Sequence, residues 1–254
     1  RFITEHTPAL EDRPAAPETG VRVAIIGAGP GGMAAALELA RGGARVEIFE
    51  QQAYPGGMAG GVVPEYRLPQ RVFDRDFKPL ADLGVKIHYK QRAGVDFRLA
   101  DLREAGFDAV VITVGAQLGK RLGLEGEDCQ GVFDALEFLR RSKAKEPVDI
   151  GRRIGVIGAG DTAMDCARTA CRYPGTEVKL IYRRSIEQMP ADPEEIEQLL
   201  QEGAEVVEFA KPERLVVGDG RLRALTCRRT EYAGDRDASG RKIPHEVPDS
   251  DFDV

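Results

Sequence analysis

Tryptophan is absent from the 254-residue sequence, and cysteine and histidine are scarce, with four and three residues respectively. The cysteines form no CxxC pair and no clustered set of the kind that ligates an iron–sulfur centre; they are Cys129, Cys166, Cys171 and Cys227. We therefore expect buried or unreactive thiols. Because the sequence also shows no disulfide framework and no secretory signal, a reducing, cytoplasmic location is predicted.

The chain also lacks long apolar stretches and an excess of positive charge. Its longest apolar run, residues 109–114, is far shorter than the roughly 20 residues that a membrane-spanning helix needs, so no membrane span is predicted. The net charge of −6 argues against nucleic acid as a partner. With 42% hydrophobic and 31% charged residues, the composition is that of a folded globular protein.

A glycine-rich turn between a predicted strand and a predicted helix is the first motif that carries chemistry. The strand covers residues 21–26, and the turn matches G-x-G-x-x-G with Gly27, Ala28, Gly29, Pro30, Gly31 and Gly32. The first glycine permits a tight turn, the second lets a pyrophosphate approach the backbone, and the third lets helix and strand pack closely. The next strand ends in Glu50, followed by Gln51, at the spacing where a carboxylate accepts hydrogen bonds from an adenosine ribose. The pattern favours a dinucleotide site over an ordinary glycine turn with a solvated glutamate.

The same pattern returns about 131 residues later along the chain. A strand at residues 153–157 leads into a G-x-G-x-x-A turn that pyridine nucleotides accept, with Gly158, Ala159, Gly160, Asp161, Thr162 and Ala163. The strand after it is followed by Arg183 and Arg184, where an NAD-specific site carries an acid. Guanidinium groups bind phosphate bidentately, so the pair favours NADP(H) over NAD(H), the alternative being two exposed arginines that end a strand. The repeat predicts an α/β fold with two Rossmann-like dinucleotide-binding units and parallel sheets flanked by helices.

Further motifs lie in register with the two turns, at residues 56–58, 63–69, 114–116 and 182–191. With them, the chain from residue 21 to about residue 247 resembles the glutamate synthase small-subunit family of NAD(P)H-dependent flavoproteins, which includes the FAD and NADPH core of dihydropyrimidine dehydrogenase. The resemblance implies an FAD-binding domain over residues 21–117 and an NAD(P)H-binding domain over residues 118–254. It also implies that Gly57 and Met58 lie along the flavin, Arg67 near it, and Gly115 at a strand end that passes the FAD.

The resemblance further implies a reaction in which hydride passes from NADPH to FAD and electrons then go through iron–sulfur clusters to a partner subunit or domain. Hydride transfer between two cofactors requires no acid, base, nucleophile or metal ligand from the chain. The cluster-binding cysteines that precede this core in the family are absent, as is the later Gly-Asp segment that closes the FAD domain. We therefore expect an internal piece of a longer protein, with iron–sulfur clusters only in the missing parts or in the partner.

Other classes of flavoprotein are disfavoured by residues that the chain does not have. A disulfide reductase needs a cysteine pair beside its flavin, where this chain has Gly56, Gly57 and Met58. A Baeyer–Villiger monooxygenase is expected to carry a motif ending in tryptophan. One alternative stays open, a non-catalytic nucleotide-binding or docking fragment of a larger electron-transfer complex.

Three expectations concern segments outside these motifs. Residues 1–20, which contain three prolines, are predicted to be a linker or the end of a preceding domain. The histidines at positions 6, 88 and 245 are interpreted as structural or surface residues. The polar segment from Gly234 onward, rich in Asp and Pro, is predicted to be poorly ordered.

Overall fold

The computed structural model describes residues 15–238 and 240–254, without the side chain of Asp76. The chain divides into two compact units, the first ending at Gln117 and the second formed by Leu118–Val254. Of the predicted linker, residues 1–14 lie outside the described residues, and so does His6. Residues 15–21 form no regular element, and the Ala16 amide donates to the carbonyl of Arg41, the last residue of the helix Pro30–Arg41, at 2.7 Å.

The first unit is built on a four-stranded parallel sheet with helices in its connections. Its strands follow the order β3-β2-β1-β4, so β1 has a neighbour on each side. The elements in chain order are β1 (Arg22–Ile26), α1 (Pro30–Arg41), β2 (Arg45–Glu50), α2 (Gly57–Gly61), α3 (Gln70–Asp82), β3 (Lys86–Tyr89), α4 (Leu99–Glu104) and β4 (Ala109–Ile112).

Two apolar clusters, one on each face of this sheet, hold β1 in place. Alternate residues of a strand point to opposite faces. On one face Ile25 packs with Ile48 and with the alanines of α1, and on the other Ile26 packs with Leu102 and Phe107. Ile25 and Ile48 are fully buried, and each such side chain contributes about 2 kcal/mol. The end of β1, where the first glycine turn begins, is therefore firmly anchored.

The second unit contains two three-stranded sheets. One is parallel with the order β5-β6-β7, and the other is antiparallel with the order β10-β9-β8. The elements in chain order are α5 (Ala135–Lys143), β5 (Arg153–Ile157), α6 (Asp161–Cys171), β6 (Glu177–Ile181), a 3₁₀ turn (Ile186–Gln188), α7 (Pro193–Gln201), β7 (Glu205–Val207), β8 (Ala210–Gly218), β9 (Arg221–Arg236) and β10 (Lys242–Asp253). The predicted α/β fold with a strand–turn–helix–strand repeat is confirmed in both units.

The prediction of a poorly ordered segment beyond Gly234 is wrong. Residues Lys242–Asp253 form β10, which pairs antiparallel with β9. Cross-strand charges explain why such a polar strand is stable: Arg228 bonds to Asp251 at 2.8 Å, and both Arg228 and Lys211 bond to Glu246. Opposite charges on neighbouring strands stabilise a sheet where apolar alternation is weak.

Candidate dinucleotide-binding sites

The first glycine turn has no room for side chains at its first and third glycines. Gly27 adopts a φ of +102°, and a Cβ there would lie 2.7 Å from the carbonyl oxygen of Thr113. A Cβ at Gly32 would lie only 2.0 Å from the carbonyl oxygen of Gly27. Helix and strand therefore approach as closely as the motif predicts, and the backbone at the start of α1 is exposed to a ligand.

Glu50 at the end of β2 is buried and bound to the turn. It is 5% exposed, and its two carboxylate oxygens accept hydrogen bonds from the amides of Ala28 and Gln52, each at 2.8 Å. An ionised carboxylate has about four acceptor sites, so two remain for the hydroxyl groups of a ribose. The neighbouring Gln51 is exposed.

The segment predicted to lie along the flavin contacts the same turn. The amide of Gly56 donates to the carbonyl of Ala28 at 2.7 Å. Gly57 has a φ of +54°, and a Cβ there would lie 3.0 Å from the Cα of Gly29. The structure thus brings Gly57 beside the first turn, with the partly buried Met58 next to it on α2.

Two other predicted flavin residues lie on exposed loops of the first unit. Arg67 is exposed in the turn between α2 and α3, where its amide donates to the carbonyl of Pro64 at 3.0 Å. Gly115 is exposed beyond β4 with a φ of +65°. Their contacts with a flavin stay predictions.

Thr113, which the sequence motifs do not indicate, links β4 to the first turn. Its hydroxyl lies 3.0 Å from the carbonyl oxygens of both Ile26 and Gly27, and its amide donates to Ile26 at 2.9 Å. The signal in the sequence was its place directly after an apolar strand, but only the pairing of β4 with β1 shows which turn it contacts.

The second glycine turn is more open than the first. Gly158 has a φ of +129°, and a Cβ there would lie 3.4 Å from the Cβ of Ala163, which is ordinary van der Waals contact. A Cβ at Gly160 would meet no atom within 4 Å. A cavity of about 380 Å³ opens over the turn, lined by residues 158–163 and by Ala135, Val156, Ile157 and Cys166.

Helix α6 begins at this turn with exposed polar side chains. Asp161 and Thr162 are exposed, and the N-cap residue, Gly160, has no side chain that could cap the amides of the first helical turn. Residues 191 and 192 hold the turn through two hydrogen bonds of 3.2 Å. The amide of Ala191 donates to the carbonyl of Ala159, and the amide of Asp192 donates to Oδ1 of Asp161. Uncapped amides at a helix N-terminus attract anions such as a pyrophosphate.

The two arginines after β6 lie in different environments. Arg183 is exposed, whereas Arg184 is 5% exposed. The Arg184 guanidinium donates from Nε to the carbonyl of Lys242 at 2.9 Å and from Nη2 to the carboxylate of Asp237 at 3.0 Å. Only Arg183 presents its guanidinium group at the surface.

The thiol beside the second turn is protonated at neutral pH. Cys166 lines the cavity, and burial raises the pKa of its thiol to about 12. Burial likewise raises the pKa of Cys227 to about 11. Within residues 15–238 and 240–254, no group of three or more His, Cys, Asp or Glu side chains is arranged to hold a metal ion, and no helix is long and apolar enough to cross a membrane.

A sequence profile described as "Pyridine nucleotide-disulphide oxidoreductase" matches residues 21–208, which include both glycine turns and the strands around them. The chain belongs to this oxidoreductase family. The predicted resemblance to glutamate synthase small subunits is also confirmed, because the small chain of the NADPH glutamate synthase of Escherichia coli is 36% identical over 249 residues, covering 93% of this chain and 52% of the relative.

Another similar protein is the β subunit of the NADPH-Fe(3+) oxidoreductase of Geobacter sulfurreducens, which is 38% identical over 244 residues. The match covers 94% of this chain and 36% of that subunit. The chain therefore spans between about a third and about a half of the length of these two relatives.

Among solved structures, Mycobacterium tuberculosis FprA in complex with NADPH superposes with a TM-score of 0.77 at 20% identity. The superposition covers 92% of this chain and 68% of FprA. At this identity the likeness establishes the fold, and it agrees with the predicted flavoprotein-type architecture.

Proposed function

We propose that the chain is the FAD- and NADPH-binding part of an oxidoreductase that passes hydride from NADPH to FAD and then sends electrons to a partner. The observation that carries the proposal is the contrast between the two glycine turns. The strand after the first ends in the buried carboxylate of Glu50, and the strand after the second leads to the exposed guanidinium of Arg183. A carboxylate matches a free ribose diol and repels phosphate, whereas a guanidinium binds phosphate. We therefore assign FAD to the first unit and NADPH to the second.

The first unit fits FAD through its backbone and through Glu50. Gly27 and Gly32 let the turn, β4 and α1 pack closely, and Gly29, the N-cap residue of α1, places no side chain between the first helical amides and a pyrophosphate. Glu50 keeps acceptor sites for the ribose hydroxyls. Bound FAD would supply the hydride-accepting and electron-releasing chemistry, which amino-acid side chains do not offer.

The second unit fits NADPH through a similar glycine turn, with a positive guanidinium group where the first unit has a negative carboxylate. The open position at Gly160 admits a pyrophosphate beside the uncapped amides of α6, and Asp161 and Thr162 border it. Arg183 stands at the position where a ribose 2′-phosphate is read in such folds. The chain's own residues bind and orient the nucleotide, and we assign no acid, base or metal ligand to the reaction.

The acceptor is proposed to be an iron–sulfur cluster in a partner subunit or domain. Two relatives are named as a β subunit and a small chain, which supports a multi-subunit setting. We assign the cluster to the partner because the four cysteines of this chain have no ligand spacing. Reduced thiols and an electron-transfer partner favour the cytoplasm as the location.

Anaerobic reduction of the flavin tests the proposal. The purified protein is incubated with FAD, freed of unbound flavin and titrated with NADPH or NADH while the visible flavin absorbance is followed. We expect a yellow protein that NADPH bleaches at lower concentration than NADH, because the 2′-phosphate adds a charged contact. A protein that takes up no FAD yet binds NADPH would instead support the alternative of a non-catalytic nucleotide-binding or docking fragment.

A further inference from the structure

We propose that the antiparallel sheet β8-β9-β10 acts as a clamp that shapes the phosphate loop, residues 182–188, and that Arg184 is a positioning residue within it. Arg183 is then the single arginine of the pair that contacts the 2′-phosphate. The inference rests on the proposed NADPH site in the second unit, and it assigns nucleotide selectivity to side chains far along the chain from the glycine turn.

The backbone of the phosphate loop is held by side chains that come from the antiparallel sheet and its entry. The hydroxyl of Thr230 donates to the carbonyl of Arg183 at 2.7 Å, and the amide of Ser185 donates to the hydroxyl of Tyr232 at 2.8 Å. The amide of Ile186 donates to Glu208, just before β8, at 2.5 Å. A loop that leaves a sheet must find new partners for its backbone groups. Here the partners fix three successive peptide units.

The side chain of Arg184 is committed to the same sheet. A buried guanidinium is stable only when paired, and this one bonds to the carboxylate of Asp237 and the carbonyl of Lys242. Turning Arg184 toward a ligand would leave the carboxylate of Asp237 without this partner and would expose the buried contact. The pair therefore ties the loop to the ends of β9 and β10.

The far end of the loop is closed by the first residue of β10. The amide of Lys242 donates to Oε1 of Gln188 at 3.1 Å, and the hydroxyl of Tyr182 donates to the carbonyl of Gln188 at 3.0 Å. The Lys242 ammonium also lies 5.0 Å from the ring centre of Tyr232. One residue of β10 thus contacts both the arginine anchor and the loop end.

The contacts of the phosphate loop explain why the adjacent arginines differ. Residues 183 and 184 form a bend after β6, so their side chains are placed by the partners of the loop. With Thr230 holding the Arg183 carbonyl, Arg184 turns into the sheet and Arg183 turns out to the surface. Among the described residues, no ion pair engages the side chain of Arg183, so its full charge is available for a phosphate.

Binding of 2′,5′-ADP and 5′-AMP to variants, measured by calorimetry, tests the arginine that reads the phosphate. Arg183→Ala should weaken the binding of 2′,5′-ADP about 10- to 100-fold, which is the loss expected for one or two charge-assisted hydrogen bonds. The affinity for 5′-AMP should not change. Arg223→Ala, which removes an exposed arginine of β9 paired with Asp219, serves as the matched control and should change neither. Equal losses of both ligands in Arg183→Ala would overturn the assignment of Arg183.

The Arg184–Asp237 pair is tested by a double-mutant cycle with the same two ligands. If Arg184 is an anchor, Arg184→Gln and Asp237→Asn should each weaken 2′,5′-ADP about 2- to 10-fold, and the double variant should lose no more than either single one. If Arg184 contacts the phosphate instead, Asp237→Asn would free the Arg184 side chain for the ligand. The variant would then bind 2′,5′-ADP as tightly as the wild type or more tightly, and this result would overturn the clamp.

Thr230→Val keeps the inference testable if the charge variants fold poorly. It removes only the hydrogen bond to the Arg183 carbonyl and should weaken 2′,5′-ADP a few-fold with 5′-AMP unchanged. An unchanged affinity for 2′,5′-ADP would count against the clamp. Failure of the wild-type protein to bind 2′,5′-ADP or NADPH at all would instead remove the proposed NADPH site itself, so the two failures are distinguishable.

Discussion

At position 32 the absence of a Cβ allows α1 to pack against the first glycine turn. An ideal Cβ there would lie 2.0 Å from the Gly27 carbonyl and 2.7 Å from the hydroxyl of Thr113. Neither the backbone carbonyl nor the short threonine side chain can move far, since β1 is paired with β2 on one side and with β4 on the other. The close packing of α1 against β1 depends on this glycine.

We predict that Gly32→Ala lowers the free energy of unfolding by roughly 1–3 kcal/mol, the usual cost of overpacking, and abolishes FAD binding. Urea unfolding and flavin retention after desalting measure the two effects. Gly31→Ala is the matched control for stability, because its Cβ would meet no atom closer than 4.0 Å. A Gly32→Ala protein as stable as Gly31→Ala would contradict the packing argument.

The residues of the two turns could be predicted because glycine, acid and arginine stand at spacings that dinucleotide chemistry fixes. The separation of Arg183 from Arg184 could not be predicted, because two adjacent arginines look alike until the residue that pairs with one of them is known. Asp237 is 53 residues further along the chain, in a segment whose composition predicts poor order.

Helices α6 and α7 are joined by a cluster of charges centred on the buried Arg168. Arg168 is 4% exposed and bonds to Glu195 and to Glu202, the latter at 2.8 Å. Arg172 bonds to the other oxygen of Glu202 at 2.6 Å. Burial alone would raise the pKa of Glu202, but hydrogen bonds from Arg172 and Arg168 outweigh burial and hold it below the usual 4.5.

The direction of this shift gives a pH dependence. A carboxyl group whose pKa is lowered by folding stabilises the protein fully above its unfolded pKa, and the contribution is lost as pH falls through the folded value. We expect the stability of the wild type to decline as the pH falls below about 4.5. Urea unfolding between pH 7 and pH 3 should show that Glu202→Gln is less stable at pH 7 and declines less steeply. Parallel curves for the two proteins would exclude Glu202 as a source of the decline.

At the scale of elements, the helices and the parallel strands could be predicted and β10 could not. The parallel strands are apolar runs bounded by glycine, a pattern that core burial imposes. β10 contains four acidic residues and two prolines among its twelve residues, and it is stabilised by partners on β8 and β9, such as Lys211 and Arg228. Pairing of this kind depends on which strand lies alongside, which local composition does not reveal.

Across the whole molecule, the two units repeat one plan with different tolerances. In the first unit, the third glycine of the turn, Gly32, leaves no space for a side chain. In the second unit the corresponding residue is Ala163, and even a Cβ added at Gly158 would lie in ordinary van der Waals contact with the Ala163 side chain. The difference fits two ligands held by related but separately adjusted cradles. In the proposed assignment, the division of the two cofactors between the units depends on Glu50 at the end of β2 and on Arg183 after β6, not on the turns themselves.

The distance along the chain between the phosphate loop and its clamp has a consequence for biosynthesis. Arg184 and Lys242 are 58 residues apart, and Arg183 and Thr230 are 47 apart. Domains generally fold from the N-terminus as the chain emerges from the ribosome, and long-range contacts form late. The first glycine turn can form early in translation, whereas the loop that we propose to distinguish NADPH from NADH acquires its shape only after the β9–β10 hairpin has been synthesised.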